Sequence, residues 1–215
     1  DGMSVKGRLV PAKHGREQMP LKGKGFDRMD DEVTYTASMD GKIEMQNDRI
    51  VVLPVHEVSG NAELAEGNID FRGDIVIHGN VESGVNIRAT GSITIDGVAE
   101  ACMLEAGKDI ILRGGMLGGN KASVKTKGAI TAKFFEFTNI LCEGDLQADV
   151  LMDCSVICHG QIRLTGRKGS IIGGKVQAIR GLIATSLGND AEKRTEIFVG
   201  AGIDVYSRLR VMEKK

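Results

Sequence analysis

Gly73-Asp-Ile-Val-Ile77 is the first clear copy of a short phrase that returns along the chain as far as Leu164. In each copy a glycine is followed by alternating aliphatic residues, and the later copies begin at Gly91, Gly107, Gly128, Gly144 and Gly160. The copy at Gly107 carries one extra residue. The steps from glycine to glycine are 18, 16, 21, 16 and 16 residues. Such steps are too short for a repeated pair of helices and are close to one coil of a β-solenoid.

The alternation inside each copy predicts which side chains face the core. Residues on one side of a strand recur with a period of two, so one aliphatic residue of each copy should stack on the next, about 4.8 Å away. The predicted ladder is Ile75, Ile93, Ile110, Ile130, Leu146 and Ile162. Small residues stand two places before several glycines, as an inward corner requires: Ala89, Thr126, Cys142 and Cys158. The prediction is an all-β chain, wound as a right-handed parallel β-helix.

A left-handed hexapeptide helix is the competing solenoid, because Ile75, Val81, Ile87 and Ile93 are six residues apart. That pattern usually has a small residue after each aliphatic one. Here the following residues are Val76, Glu82, Arg88 and Thr94. The uneven coils of a right-handed helix fit this sequence better.

Three segments are predicted along the chain. Residues 1–57 alternate like short antiparallel strands and should form a small β-domain that caps the first coil, since an open solenoid end exposes an unpaired strand edge. Residues 58–205 should form the β-helix. Residues 206–215 have Tyr206, Leu209 and Met212 at three-residue spacing, which predicts the start of a helix. Because the first residue is Asp1 rather than Met, we expect the sequence to be part of a longer protein.

Composition narrows the classes of partner. The 215 residues include 29 Gly and only 4% aromatics, which suits many tight corners and a narrow aliphatic core. With a net charge of −1, the chain lacks the excess of basic residues that would neutralise a nucleic-acid backbone, so nucleic acid is not an expected partner. The sequence has no apolar window of about 18 residues, so a membrane span is not expected. The 4 cysteines contain no C-x-x-C pair and predict reduced thiols in the cytoplasm.

A search for reactive residues leads to no catalytic, metal or cofactor prediction. The histidines (His14, His56, His78 and His159) fall in separate segments. Cys154 and Cys158 face one side of a predicted strand, but His159 faces the other, so the three should not converge on a metal. The acids Asp74, Asp145 and Asp149 are scattered. We therefore expect no small-molecule substrate.

One glycine-rich segment is a candidate anion loop. Its residues are Arg167, Lys168, Gly169, Ser170, Gly173, Gly174 and Lys175. The spacing from Gly169 to Lys175 is close to that of a phosphate-binding loop, but Val176 stands where the magnesium-holding hydroxyl should be, and no helix is predicted to follow. The simpler interpretation is that these glycines serve tight turns of the backbone. Anion binding at backbone N–H groups stays open as the alternative.

Several longer phrases resemble the bacterial flagellar assembly protein A family, and the resemblance extends over essentially the whole chain. They are Val5-Lys-Gly-Arg-Leu-Val-Pro-Ala, Ala37-Ser-Met-Asp-Gly-Lys-Ile, Gly67-Asn-Ile-Asp-Phe-Arg-Gly-Asp-Ile-Val-Ile-His-Gly-Asn-Val, Gly97-Val-Ala-Glu-Ala, Gly128-Ala-Ile-Thr-Ala-Lys-Phe-Phe-Glu, Gly166-Arg-Lys-Gly-Ser-Ile-Ile-Gly-Gly and Thr195-Glu-Ile-Phe-Val-Gly. The resemblance implies a right-handed β-helix similar to the carboxyl-terminal domain of the bacterial septum-site inhibitor. It also implies a separate amino-terminal region, a coiled-coil tail and a role in flagellar assembly or placement. It supplies no catalytic residues.

The leading hypothesis is a non-enzymatic scaffold that binds protein partners and pairs with itself, most simply as a homodimer. Two alternatives stay open. One is an anion- or nucleotide-binding protein that uses the loop at 166–175, and the other is a polysaccharide-binding β-helix.

Overall fold

The structure is a computed structural model that describes residues 1–12, 21–31, 33–39, 41–47, 49–166 and 168–200. The predictions for His14, for Arg167 and for a helix at 206–215 lie outside these residues. The chain divides into two compact units. One comprises Asp1–Ser38 and Ile43–Val52, and the other comprises Met39–Lys42 and the chain from Leu53 onward.

The amino-terminal part contains short, mostly exposed strands. They are β1 (Gly2–Met3), β2 (Leu9–Val10), β3 (Gly23–Lys24), β4 (Phe26–Arg28), β5 (Tyr35–Ala37), β6 (Lys42–Gln46) and β7 (Arg49–Leu53). The pairs β1–β2 and β4–β5 are antiparallel, whereas β3 pairs in parallel with β7. This part of the chain therefore contains short strands, and the pairing is antiparallel for β1–β2 and β4–β5 but not for β3–β7. The covering of the first coil by this unit stays a prediction.

The larger unit has a 3-10 turn at Leu64–Glu66, between its first two strands. Its strands are β8 (Val55–Val58), β9 (Ile69–Phe71), β10 (Asp74–Ile77), β11 (Asn86–Ala89), β12 (Ile93–Ile95), β13 (Ala99–Glu100), β14 (Met103–Ala106), β15 (Ile110–Leu112), β16 (Met116–Thr126), β17 (Ile130–Ala132), β18 (Phe134–Cys142), β19 (Leu146–Ala148), β20 (Val150–Cys158), β21 (Gln161–Leu164), β22 (Ser170–Ala178), β23 (Gly181–Ile183), β24 (Ser186–Leu187) and β25 (Thr195–Val199).

These strands form two long sheets. The first sheet has the order β8-β10-β12-β15-β17-β19-β21-β23, and the second has the order β9-β11-β14-β16-β18-β20-β22-β24. In the second sheet β13 also pairs with β16, and β25 pairs with β22. Neighbouring strands are parallel and come from successive coils. The predicted fold class, an all-β chain wound as a parallel β-helix, is confirmed, with about eight coils.

The coils also have a third face, which lies in sequence between the strands of the first and second sheets. In one coil its segment is the separate strand β13, between β12 and β14. In later coils it is continuous with the second-sheet strand, so that β18, β20 and β22 are each 9 residues long. These long strands bend at left-handed residues, Phe137 with φ +47° and Asp153 with φ +49°. The bend turns one strand from the third face onto the second sheet.

The predicted aliphatic ladder is one column of the buried core. Ile75 lies in register with Ile93, Ile93 with Ile110, and Ile110 with Ile130. Leu146 and Ile162 continue the column, and all six residues are 0% exposed. Ala89, Thr126, Cys142 and Cys158 are also buried, as expected of an inward corner. Burial of one such aliphatic side chain contributes about 1.5 to 3 kcal/mol, so stacked coils make a core with few aromatics.

The glycine and the acid that begin several repeats hold adjacent coils together. The Asp145 carboxylate accepts a hydrogen bond from the Gln161 backbone N–H one coil later, at 2.8 Å. Asp74 does the same for Ser92, at 2.7 Å. A Cβ on Gly144 would lie 2.5 Å from a backbone carbonyl oxygen of the preceding coil, so the side chain must be absent there. Two of the acids that appear scattered in sequence are therefore structural.

Candidate interaction surface

Along its described length the glycine-rich segment is mostly strand. Ser170 begins strand β22, and its N–H donates to the carbonyl oxygen of Asp149 at 3.2 Å. The Gly173 N–H donates to the Thr195 hydroxyl at 2.9 Å. Gly169, Gly173 and Gly174 have positive φ, as tight backbone geometry requires. The N–H groups of Ser170 and Gly173 are therefore already bonded within the protein.

A groove of about 440 Å³ lies at the bend between the third face and the second sheet. We call it the corner groove. Its lining residues are Asn120, Phe137, Thr138, Asn139, Asp153, Cys154, Ser155, Gly174, Lys175, Arg194 and Glu196. Of the candidate anion loop, Gly174 and Lys175 line the groove, whereas Lys168, Gly169, Ser170 and Gly173 do not. The structure thus brings the end of the predicted loop to this groove.

The charges at the corner groove are mostly paired. Lys193 bonds to the Asp153 carboxylate. Arg194 Nη2 lies 2.5 Å from Glu196 Oε1. The exception is Lys175, whose ammonium lies 5.4 Å from the centre of the Phe198 ring and has no carboxylate within 4.0 Å among the described residues. The groove therefore presents one cation that its own carboxylates leave without an ion pair.

An apolar patch occupies the outward positions of the third face. It consists of Leu117, Phe134, Val150, Met152 and Ile172. Phe134 is in register with Val150, and Met152 with Ile172. Leu117 is 41% exposed, and the other four are partly exposed. In the preceding coil the position that pairs with Leu117 is Glu100, and in the following coil it is Glu136, so the apolar residues of this column alternate with acids until Met152 and Ile172.

A charged ladder crosses the first coils on the outside. His78 places Nε2 2.8 Å from Glu57 and Nδ1 2.9 Å from Asp96. Lys42 bonds to Glu57, and Arg113 Nε lies 3.3 Å from Asp96. Hydrogen bonds to Glu57 first and Asp96 second raise the pKa of His78, because both ring nitrogens must donate. Hydrogen bonds from Lys42 and His78 lower the pKa of Glu57.

Sequence analysis missed this ladder, although a signal for it was present. His78, Asp96 and Arg113 each follow the last aliphatic residue of a repeat phrase, so they occupy the same phase. Aligning the repeats by phase would have placed the three in one column. The pairing of His78 with Glu57 depends on the stacking of the first coils and has no local signal.

The cysteines are core residues in this structure. Cys142 and Cys158 are in register in adjacent coils, and their thiols donate to backbone carbonyl oxygens of Gly128 and Gly144 at 3.3 and 3.2 Å. Burial raises the pKa of Cys102 to about 12 and that of Cys154 to about 11, so neither thiol ionises readily. His159 is exposed, on the opposite side of the chain from buried Cys158. The described residues include no group of three or more His, Cys, Asp or Glu side chains placed to hold a metal.

The fold defines a parallel β-solenoid protein, and the groove, the apolar patch and the charged ladder described above lie on its outer faces. Its sequence matches the family described as the Flagellar Assembly Protein A beta solenoid domain over residues 54–215. The chain belongs to this family. No curated protein and no solved structure matches it significantly. Within the described ranges, no helix has the length and apolar character needed to cross a membrane.

Proposed function

We propose that this chain is a non-enzymatic scaffold in bacterial flagellar assembly or placement, where it acts in the cytoplasm, binds protein partners and pairs with a second copy of itself. Membership of the flagellar assembly protein A family supports the setting. The apolar patch on the third face is the observation that carries the proposal. Contiguous apolar surface on a water-exposed face is typical of protein contact sites.

The patch suits pairing around a twofold axis. Leu117, Met152 and Ile172 lie in one outward column, with Glu136 between the first two. Because three steps of about 4.8 Å separate Leu117 from Ile172, the column is about 14 Å long. A twofold axis places the same patch of two copies face to face, so each copy covers apolar surface of the other.

The test is light scattering over a concentration series with two matched variants. Wild type should have twice the monomer mass. Met152→Lys places a charge in the patch and should give a monomer, because pairing would have to remove the ammonium from water, a cost that the neighbouring Glu136 carboxylate offsets only in part. Ile111→Lys is the control, since Ile111 is an outward residue of the first sheet, 36% exposed and outside the patch. A monomeric wild type, or a Met152→Lys variant that still dimerises, would refute pairing through the patch.

Anion or nucleotide binding is the second candidate, because Lys175 of the predicted loop faces the corner groove without an ion-pair partner. A nucleotide that bound there would raise the thermal midpoint of the protein, since a ligand that binds only the folded state stabilises it. An unchanged midpoint in the presence of excess nucleotide would contradict this second candidate and leave the scaffold proposal unaffected.

A further inference from the structure

The corner groove is elongated. Asn139, Ser155, Lys175 and Glu196 follow one another in register across β18, β20, β22 and β25. Three steps of about 4.8 Å place the ends of this row about 14 Å apart. Asn120 also lines the groove, but it lies outside the row, where the register of β16 shifts. An extended peptide rises about 3.3 Å per residue, so the row matches about four residues of extended chain. Its length fits a peptide better than a compact small molecule.

The floor of the groove offers unused hydrogen-bonding groups. The side chains of Asn120, Asn139 and Ser155 have no hydrogen-bond partner within the part of the chain that the structure describes. Their amide and hydroxyl groups can donate to carbonyl and carboxylate oxygens. Thr138, by contrast, is 2% exposed, and its hydroxyl donates to the Glu136 carbonyl oxygen at 2.9 Å. Two of the available donors, Asn139 and Ser155, therefore lie in the same outward row as Lys175.

The unpaired Lys175 favours an anionic occupant. The charged residues that line the groove are two cations, Lys175 and Arg194, and two carboxylates, Asp153 and Glu196. Arg194 pairs with Glu196, and Asp153 pairs with Lys193, which lies outside the lining. Lys175 is therefore the lining cation that these ion pairs leave available. Because the whole chain carries a net charge of −1, general attraction of the protein for anions does not supply this preference.

From this geometry we infer that the corner groove binds an extended acidic segment of a protein partner. A carboxylate of that segment pairs with Lys175, and its other oxygens accept hydrogen bonds from Asn139 and Ser155. The inference rests on the proposed scaffold function, and it adds a site and a partner chemistry to it. The Phe198 ring lies under the Lys175 ammonium and helps to hold it over the groove.

Fluorescence anisotropy with a fluorescein-labelled hexaglutamate peptide tests the inference. Lys175→Gln should weaken binding about tenfold, because it removes a charge-assisted hydrogen bond. Lys168→Gln is the matched control. It removes the same charge from the same glycine-rich segment but lies outside the groove, so it should change binding less than about twofold. Hexalysine should not bind.

Three outcomes would overturn the inference. They are an absence of hexaglutamate binding to wild type, equal losses in Lys175→Gln and Lys168→Gln, and full displacement of the peptide by inorganic phosphate at matched ionic strength. The last would mean a site for free oxyanions. Light scattering of the same samples separates this result from the proposed function. If hexaglutamate fails to bind while Met152→Lys still breaks the dimer, the groove inference falls and the scaffold proposal stands.

Discussion

Ile110 and Ile111 are neighbours on β15 that lie on opposite sides of the strand. Ile110 is 0% exposed and packs in register between Ile93 and Ile130. Ile111 is 36% exposed, between the outward positions of Thr94 and Thr131. Replacing each with alanine removes the same atoms from the same strand. Any loss of intrinsic β-propensity is therefore shared, and the difference between the two variants reports burial alone.

The two losses can be estimated from the structure. Ile→Ala removes three carbon groups, worth about 0.8 kcal/mol each when fully buried, or about 2.4 kcal/mol. At Ile110 the enclosed space left behind adds a cavity cost, which brings the expected loss to about 3.5 kcal/mol. At Ile111 roughly a third of the side chain is already in water and no enclosed space is left, so the expected loss is about 1.5 kcal/mol. The predicted difference in free energy of unfolding is about 2 kcal/mol.

Urea denaturation followed by circular dichroism measures this difference. Wild type and both variants are compared at one protein concentration, because self-association would otherwise contribute to the apparent stability. The slopes of the three transitions should agree, which shows that the same structure unfolds. Equal losses at the two positions, or a larger loss in Ile111→Ala, would refute the assignment of inward and outward faces and with it the core of the solenoid.

Two further perturbations follow from particular contacts. Because Glu57 and Asp96 raise the pKa of His78, its contribution to stability is fully present below the unfolded-state value of about 6.5 and is lost as pH rises through the raised folded-state pKa. Thermal midpoints of wild type and His78→Gln should therefore converge as pH rises, and an unshifted His78 titration by NMR would contradict the bridge. Gly144→Ala should cost about 2 kcal/mol in a urea titration, because its Cβ would meet backbone of the adjacent coil, whereas Gly60→Ala has nothing within 4 Å and should be near neutral. Similar losses in both glycine variants would show that coil spacing does not exclude a side chain.

Much of the core was predictable because it depends on a local pattern. A strand places alternate residues on opposite sides, and a parallel solenoid repeats that placement at the same phase in each coil. The position of Ile93 in its phrase therefore places it on Ile75 without knowledge of the remaining chain. The burial of the small corner residues was predictable from the same phase. Cys142 and Cys158 lie in register, as their spacing of 16 residues predicts.

The glycine-rich stretches show where local pattern is insufficient. Residues 114–121 look like an insertion in the sequence, but most of them belong to β16, an 11-residue strand whose register shifts between Leu117 and Ala122. Likewise Ser170 to Lys175 begin β22 rather than forming a separate loop. Glycine permits both a turn and a close approach of two backbones, and only the neighbouring coil decides between them.

The sequence by itself determined the coil length, the direction of the aliphatic side chains and the family, because each is carried by residues close together in the chain. The tertiary structure alone decided the outer surfaces. The corner groove joins Asn120 to Glu196, 76 residues later, and the apolar patch draws on four coils. Where each coil turns, and which outward side chains then become neighbours, depends on coils of unequal length stacking on a common core. The candidate interaction surfaces therefore arise from that stacking and from no single stretch of sequence.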